Sequence, residues 1–157
     1  MKKFSEKVLQ EIKEVRKNYH TDRSATMSAM QIVQKERGHL SRDDMATIAE
    51  MLGVEPVIVH EVGAFYTMYN VDRPVGRYHV QVCRNISCSL MGAEHIIETL
   101  EKKLNIKTGE TTVDKRFTLS TVECLGSCGT APMMQVNDDY HEDLTDDKVA
   151  KILSELK

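Results

Sequence analysis

Residues 82–88 read VCRNISC and residues 123–129 read ECLGSCG, two segments that each contain a pair of cysteines. Together they hold every cysteine of the 157-residue chain: Cys83, Cys88, Cys124 and Cys128. The spacings are C-x4-C and C-x3-C. They differ from the C-x2-C of redox dithiols and of common zinc knuckles.

A strand is predicted immediately before each cysteine pair. Apolar and polar residues alternate over residues 78–82 and again over 117–122, which is the pattern of a half-buried strand. Between them, apolar residues recur at helical spacing and predict one helical face. That face consists of Leu90, Ala93, Ile97, Leu100 and Leu104.

The strand–helix–strand order predicts where the four thiols lie. Such a unit requires parallel strands, because the intervening helix returns the chain to the edge at which the first strand began. The loops that leave the carboxyl ends of adjacent parallel strands then lie side by side, where open α/β sheets bind ligands. We therefore expect the two cysteine pairs to converge.

Four converging thiolates are typical ligands of zinc or of an iron–sulfur cluster. Gly92, Gly126 and Gly129 lie near the cysteines and let backbone N–H groups approach sulfur atoms closely. We interpret the pattern as one [2Fe–2S] cluster. Each short loop reaches one iron, so Cys83 and Cys88 are assigned to one iron and Cys124 and Cys128 to the other.

Two alternatives to a cluster follow from the same cysteines. A zinc-stabilised interaction domain would use the same four ligands. A disulfide framework is disfavoured, because residues 1–14 mix lysines with glutamates and show no apolar secretory segment. We therefore expect no signal or transit peptide.

Composition narrows the possible partners. The chain is 41% hydrophobic and 29% charged, with a formal net charge of −3. This balance argues against nucleic acid or an anionic membrane as the main partner. No apolar run is long enough to span a bilayer. The sequence has no P-loop and no G-x-G-x-x-G motif, so we expect a partner to bind any nucleotide.

The first half of the chain predicts a helical bundle. Helical spacing covers residues 4–19 and 25–37, with Gly38 closing the second helix. Ser41 is a suitable N-cap for a third helix, and Pro56 opens a fourth. We predict a helical domain over residues 1–72 and a second domain over residues 73–157.

The fourth helix raises two further alternatives. Residues 40–65 have the outline of a DNA-binding helix-turn-helix, but His60 and Glu61 are almost the only polar side chains on the second helix. That surface lacks the groups that contact phosphates and bases. The apolar helix is then either the centre of its own bundle or in part a surface that docks on another subunit.

The remaining chain predicts a hairpin and a helix. Pro132 precedes a short apolar strand at residues 133–136, and residues 140–144 return as its partner. Thr145 caps a final helix with an apolar stripe. The acidic residues 138–147 lack the spacing of a calcium loop and are interpreted as a solvated turn and a helix cap.

These motifs resemble the thioredoxin-like [2Fe–2S] ferredoxins and, among them, the small flavoprotein subunit of NADH:quinone oxidoreductase (complex I). The resemblance is carried by Cys-x4-Cys with Leu-Met-Gly at 90–92, Cys-Leu-Gly-x-Cys with Ala-Pro at 131–132, and Val-Asn-Asp-x-Tyr at 136–140. Val-Gly-Ala-Phe-Tyr at 62–66 extends it into the helical half.

The resemblance implies an α+β fold, with an N-terminal helical bundle followed by a thioredoxin-like α/β domain with a mixed sheet. Relatives of that fold often carry a cis proline before the hairpin, and Pro132 is the candidate. The implied function is one-electron transfer by a single [2Fe–2S] cluster, and no residue is assigned a catalytic role.

The resemblance also implies partners. They are a larger flavoprotein subunit that binds FMN and NADH, and further iron–sulfur subunits. The implied location is cytoplasmic, peripheral to the inner face of the membrane through the complex. The equivalent small subunit of an NAD-linked, possibly bifurcating, hydrogenase or of a formate dehydrogenase remains an alternative.

Overall fold

The chain forms two compact units, one ending at Pro74 and the other beginning at Val75. This computed structural model describes residues 4–156, so residues 1–3 and 157 of the predicted domains lie outside the described part. No helix within 4–156 is both long enough and apolar enough to cross a membrane. The roles assigned to two domains, partner docking and cluster binding, stay predictions.

The first unit contains four α-helices. They are α1 (Glu6–Arg16), α2 (Thr26–Arg37), α3 (Arg42–Leu52) and α4 (Pro56–Phe65). A 3-10 turn at Arg23–Ala25 precedes α2, so the predicted helix begins with a tighter turn than its periodicity suggested.

The predicted helix ends in the first unit are confirmed. Gly38 and Gly53 adopt left-handed conformations after α2 and α3, with φ of 78° and 66°, which a residue without Cβ adopts readily. Ser41 caps α3 in a capping box with Asp44. Pro56 lies in the first turn of α4.

Close packing of α4 on α2 and α3 depends on a glycine. A Cβ built on Gly63 would lie 3.0 Å from Met30 Cε and 3.1 Å from Met45 Sδ. Those two side chains are buried in the first core. Because Gly63 has no side chain, α4 approaches its neighbours closely on this face.

The second unit is built on a mixed four-stranded sheet. Its strands are β1 (Tyr78–Cys83), β2 (Phe117–Val122), β3 (Met134–Val136) and β4 (Asp139–His141), in the order β2-β1-β3-β4. β1 and β2 are parallel, whereas β1–β3 and β3–β4 are antiparallel. The predicted α+β class and the parallel pairing before the two cysteine loops are confirmed.

Three helices belong to this unit: α5 (Ile86–Leu90), α6 (Ala93–Leu104) and α7 (Asp146–Glu155). The buried side chains of α6 and α7 pack on the apolar face of the sheet. This second core includes Val80, Val82, Ile96, Leu100, Leu119 and Val149.

The predicted helix between β1 and β2 is interrupted. Gly92 adopts a φ of 95° and separates α5 from α6, which changes the direction of the helical face. Leu90, expected on the buried face, is therefore 81% exposed. On α6, Ile96 is fully buried, whereas Ile97 is only partly buried.

The hairpin is shorter than expected at both ends. β3 begins at Met134 instead of residue 133, and β4 ends at His141 instead of residue 144. The Ala131–Pro132 peptide bond is cis, as the resemblance implied. Thr145 accepts a hydrogen bond from the N–H of Lys148 and caps α7.

Candidate metal centre

The parallel ladder brings the two cysteine loops to one edge of the sheet. Cys83, the last residue of β1, lies opposite Val122, the last residue of β2. The N–H of Arg84 donates to Val122 O at 3.0 Å, so the pairing continues past the strand end. Cys124 follows Val122 by two residues and therefore leaves from the same edge.

The first cysteine pair is buried. Cys83 and Cys88 are 3% and 2% exposed, and they pack with Ala93, Ala131 and Met133. The N–H of Cys83 donates to Met133 O at 3.2 Å. The first pair thus lies among apolar groups that exclude water from one side of the site.

The short helix α5 carries Cys88 to this position. Ser89 Oγ donates to Arg84 O at 3.1 Å, and its N–H donates to Asn85 O at 2.9 Å. These bonds close the C-x4-C loop on itself. The loop therefore returns Cys88 towards Cys83.

The second cysteine pair is exposed to solvent. The N–H of Gly126 donates to Cys124 Sγ at 3.3 Å. Gly126 has a φ of 81°, a conformation in which a side chain is strained. Cys128 begins a 3-10 turn that runs to Thr130.

The thiols of the two loops interact with one another. Burial alone raises the pKa of Cys83, but backbone hydrogen bonds at Asn85 and Leu125 and the thiols of Cys88 and Cys124 lower it, and the net shift of this pKa is downward. The contact with Cys124 crosses from one loop to the other. The predicted convergence of the loops is therefore present.

The buried neighbour of Cys83 shifts the other way. Burial raises the pKa of Cys88 to about 11, and the Cys83 thiol and the charge of Cys128 add to this effect. The interaction with Cys128 is a second link between the loops. One thiol of the first pair thus favours its charged form while the other favours its neutral form.

The donor set fits a two-iron cluster. Four cysteine sulfurs are the usual ligands of a [2Fe–2S] cluster, and an N–H donor to a ligand sulfur is one of the groups that set its reduction potential. Within residues 4–156, no three His, Cys, Asp or Glu side chains group around a point suited to a single ion. Two thiolates per iron do not require such a group.

The glycines of the two loops have different roles. Of the three, only Gly126 donates its N–H to a sulfur within the described part of the chain. The N–H of Gly92 instead donates to Ser89 O at 3.1 Å and helps to end α5. A Cβ built on Gly129 would meet nothing within 4 Å, so no close approach requires a glycine at that position.

Two contacts near the second loop were not anticipated from the sequence. Tyr140 donates its hydroxyl hydrogen to Leu125 O at 2.7 Å. Glu142 accepts hydrogen bonds from Ser127 and from Thr130. The sequence predicts only a solvated turn for the acidic residues after β3, and the tertiary fold shows that one of them contacts the loop.

Comparison with protein families gives a match over most of the chain. Residues 12–157 match the model of the family described as thioredoxin-like [2Fe–2S] ferredoxin. An NADH-quinone oxidoreductase subunit (type E, second copy) of Rhizobium meliloti is 47% identical over 94% of this chain and 88% of its own length. The type E subunit of the same enzyme from Rickettsia conorii is 44% identical over 98% of this chain and 93% of its own length.

Comparison with solved structures supports the fold. An NAD+-reducing [NiFe]-hydrogenase in the H2-reduced state superposes with a TM-score of 0.70 over 81% of this chain at 17% identity. This chain spans only 22% of that hydrogenase chain. The similarity therefore extends through much of the present chain as a fold.

Proposed function

We propose a function from the premise that this chain belongs to the thioredoxin-like [2Fe–2S] ferredoxin family. The chain holds a single [2Fe–2S] cluster and transfers single electrons as the small flavoprotein subunit of an NADH:quinone oxidoreductase. Relatives at 44–47% identity are named as subunits of that enzyme, and the match covers nearly their whole length. A subunit name implies partner subunits.

The observation that carries the proposal is the convergence of Cys83 and Cys88 with Cys124 and Cys128. We assign all four as cluster ligands, with one pair on each iron. Contacts between the loops support this assignment, because the Cys83 thiol interacts with Cys124 and the Cys88 thiol with Cys128. When bound, the cluster supplies a centre that accepts and releases one electron at a time.

The surroundings of the cysteines have distinct tasks in this proposal. The buried first pair excludes water, whereas the exposed second pair faces solvent or a partner. The N–H of Gly126 reduces the negative charge on the Cys124 sulfur, which favours the reduced form. Electrons enter from a partner, since the sequence has no nucleotide-binding motif.

We assign the partners as the larger flavoprotein subunit that binds FMN and NADH and the further iron–sulfur subunits of the complex. The first unit is the proposed docking element. On and just after α4, Val57 is 58% exposed, Phe65 76% and Met68 43%. Apolar side chains exposed together are typical of a surface that another protein covers. The proposed location is cytoplasmic, on the inner face of the membrane through the complex.

Metal analysis of the anaerobically purified chain tests the proposal. We expect two irons and two acid-labile sulfides per chain, a red-brown colour and a paramagnetic reduced state. Each Cys→Ser change at the four positions should lower cluster content or shift the reduction potential. A colourless protein with one zinc ion would instead support the zinc-stabilised interaction domain.

A second candidate is the equivalent small subunit of an NAD-linked hydrogenase or formate dehydrogenase. The structural similarity to an NAD+-reducing hydrogenase favours its retention as an alternative, although at 17% identity it concerns the fold alone. Co-purification separates the candidates. Quinone-reductase subunits support the first, and a hydrogenase or formate dehydrogenase subunit supports the second.

A further inference from the structure

We propose that Tyr140 and Glu142 are positioning residues that hold the loop of Cys124 and Cys128 in its cluster-binding form, and that Glu142 keeps the reduction potential low. The inference deepens the proposed function and depends on it, because it assumes that the loop cysteines bind the cluster. Neither residue contacts a thiol directly. Both act through the backbone and hydroxyl groups beside the ligands.

The two side chains leave the same side of the chain. Tyr140 lies in β4 and Glu142 follows its end, two residues later, so extended backbone directs both towards one face. The Tyr140 hydroxyl donates to Leu125 O at 2.7 Å. Leu125 is the residue after Cys124, so this bond fixes the backbone beside the first ligand of the loop.

Glu142 fixes the other end of the loop. Its Oε1 accepts from Ser127 Oγ, and it accepts from Thr130 Oγ1 at 2.6 Å. The two hydroxyls also hydrogen-bond to each other at 2.9 Å. Ser127 is the residue before Cys128. The hydrogen bonds of Tyr140 and Glu142 therefore lie directly beside both ligands.

The segment that carries Glu142 is itself anchored. The N–H of Asp143 donates to Thr130 O at 2.8 Å, and the N–H of Leu144 donates to Pro132 O at 2.9 Å. The Leu144 side chain is only 5% exposed. An anchored carboxylate can hold an exposed loop, whereas a carboxylate on a free chain end could not.

Glu142 should also affect electron affinity. The hydroxyls of Ser127 and then Thr130 lower the pKa of Glu142, so the carboxylate is charged at neutral pH. A fixed negative charge opposes the addition of an electron nearby. The carboxylate also occupies the Ser127 hydroxyl, which otherwise has a ligand sulfur beside it as an acceptor. Both effects lower the reduction potential.

Three variants of the full-length, cluster-loaded chain separate these effects. Glu142→Gln keeps an acceptor oxygen but removes the charge. Glu142→Ala removes both, and Tyr140→Phe removes only the hydroxyl donor. Asp138→Asn is the matched charge control in the same hairpin. Tyr19→Phe is the matched hydroxyl control, because the Tyr19 hydroxyl bonds to Ser28 in the first unit.

Three measurements are made on each protein: the midpoint potential by EPR-monitored titration, the rate of iron loss to a chelator, and amide hydrogen exchange over residues 125–130. We expect Glu142→Gln to retain the cluster with a raised potential. Glu142→Ala and Tyr140→Phe should lose iron several-fold faster and exchange faster in the loop. Both controls should match the wild type.

The outcomes are separable from those of the proposed function. A wild-type chain without iron and sulfide contradicts the cluster assignment itself. If the wild type is loaded but Glu142→Gln has the wild-type potential, the electrostatic role is wrong. Wild-type iron loss and loop exchange in Tyr140→Phe and Glu142→Ala overturn the positioning role. If Glu142→Ala does not fold, Glu142→Gln and Tyr140→Phe decide.

Discussion

Cys83 and Val122 are register partners at the carboxyl ends of the parallel strands β1 and β2. This pairing places Cys124, two residues beyond Val122, next to the end of β1. A shift of one residue in the register would turn the side chains of β2 to the opposite face. The apolar face of the sheet opposes such a shift because Val80 and Leu119, which are also register partners, are fully buried.

The unequal burial of the two cysteine pairs predicts unequal reactivity in the cluster-free chain. A thiol-directed maleimide should modify Cys124 and Cys128 before Cys83 and Cys88. The first pair is only 2–3% exposed, so its reaction requires local opening. An opening that costs about 1.4 kcal/mol already slows the reaction tenfold.

Peptide mass spectrometry over time measures the order of modification. The same chain unfolded in guanidinium is the control, because all four thiols are then accessible. Equal rates for both pairs in the folded chain would contradict the burial of the first pair.

Gly126→Ala should weaken the cluster site, whereas Gly129→Ala should not. Gly126 has a φ of 81°, where an L-residue costs about 1–2 kcal/mol. Its N–H also contacts Cys124 Sγ at 3.3 Å. Gly129 has no neighbour within 4 Å of an added Cβ. Cluster content and chelator-driven iron loss measure the difference, and equal retention in both variants would rule out a special role for Gly126.

Tyr69 predicts an alkaline limit to the stability of the first unit. Burial raises the pKa of Tyr69 to about 12, with smaller effects from Tyr66 and Tyr19. The folded state therefore holds the phenol proton more tightly than the unfolded state, whose pKa is about 10. This stabilisation is fully present below pH 10 and decreases as the pH rises from 10 towards 12.

Tyr69→Phe removes this pH dependence. It also removes the hydrogen bond from the hydroxyl to Met27 O at 2.9 Å, which costs about 1 kcal/mol at neutral pH. Urea unfolding at pH 8, 10 and 11.5 measures both effects. The prediction is wrong if the wild type and the variant lose stability equally between pH 10 and 11.5.

Phe65→Ser should weaken assembly with a partner subunit while leaving the fold intact. The Phe65 ring is 76% exposed at the end of α4, so its removal should change the free energy of unfolding by less than about 0.5 kcal/mol. An aromatic residue at the centre of an interface typically contributes on the order of 2 kcal/mol to binding.

Co-purification and titration with the larger flavoprotein subunit measure this effect. Val113→Ser is the matched control, because Val113 is fully exposed in a loop of the second unit. Wild-type affinity in Phe65→Ser would remove this end of α4 from the docking surface. Equal losses in both variants would point to a nonspecific effect.

Local patterns in the sequence are sufficient for most elements of the fold. Alternation predicts β1 and β2, and the caps at Ser41 and Thr145 predict where α3 and α7 begin. These signals are reliable because each depends on a few neighbouring residues. The interruption at Gly92 is not predicted, since the apolar spacing continues across it although the helix does not.

The candidate site divides in the same way. The strand–helix–strand order requires the two cysteine loops to meet, and the structure brings their thiols into contact. Which pair is buried and which exposed was not predictable. That depends on Ala131 and Met133, which lie far along the chain and pack on Cys83 and Cys88 only in the folded state.

The sequence by itself determined the strand and helix pattern, the convergence of four cysteines at one sheet edge, and the family resemblance that pointed to a [2Fe–2S] cluster. Only the tertiary structure decided that Tyr140 and Glu142 reach back to the second cysteine loop. The physical reason is range. Periodicity and capping act over a few residues, whereas these contacts join residues 12–15 positions apart, and the path of the hairpin brings them together.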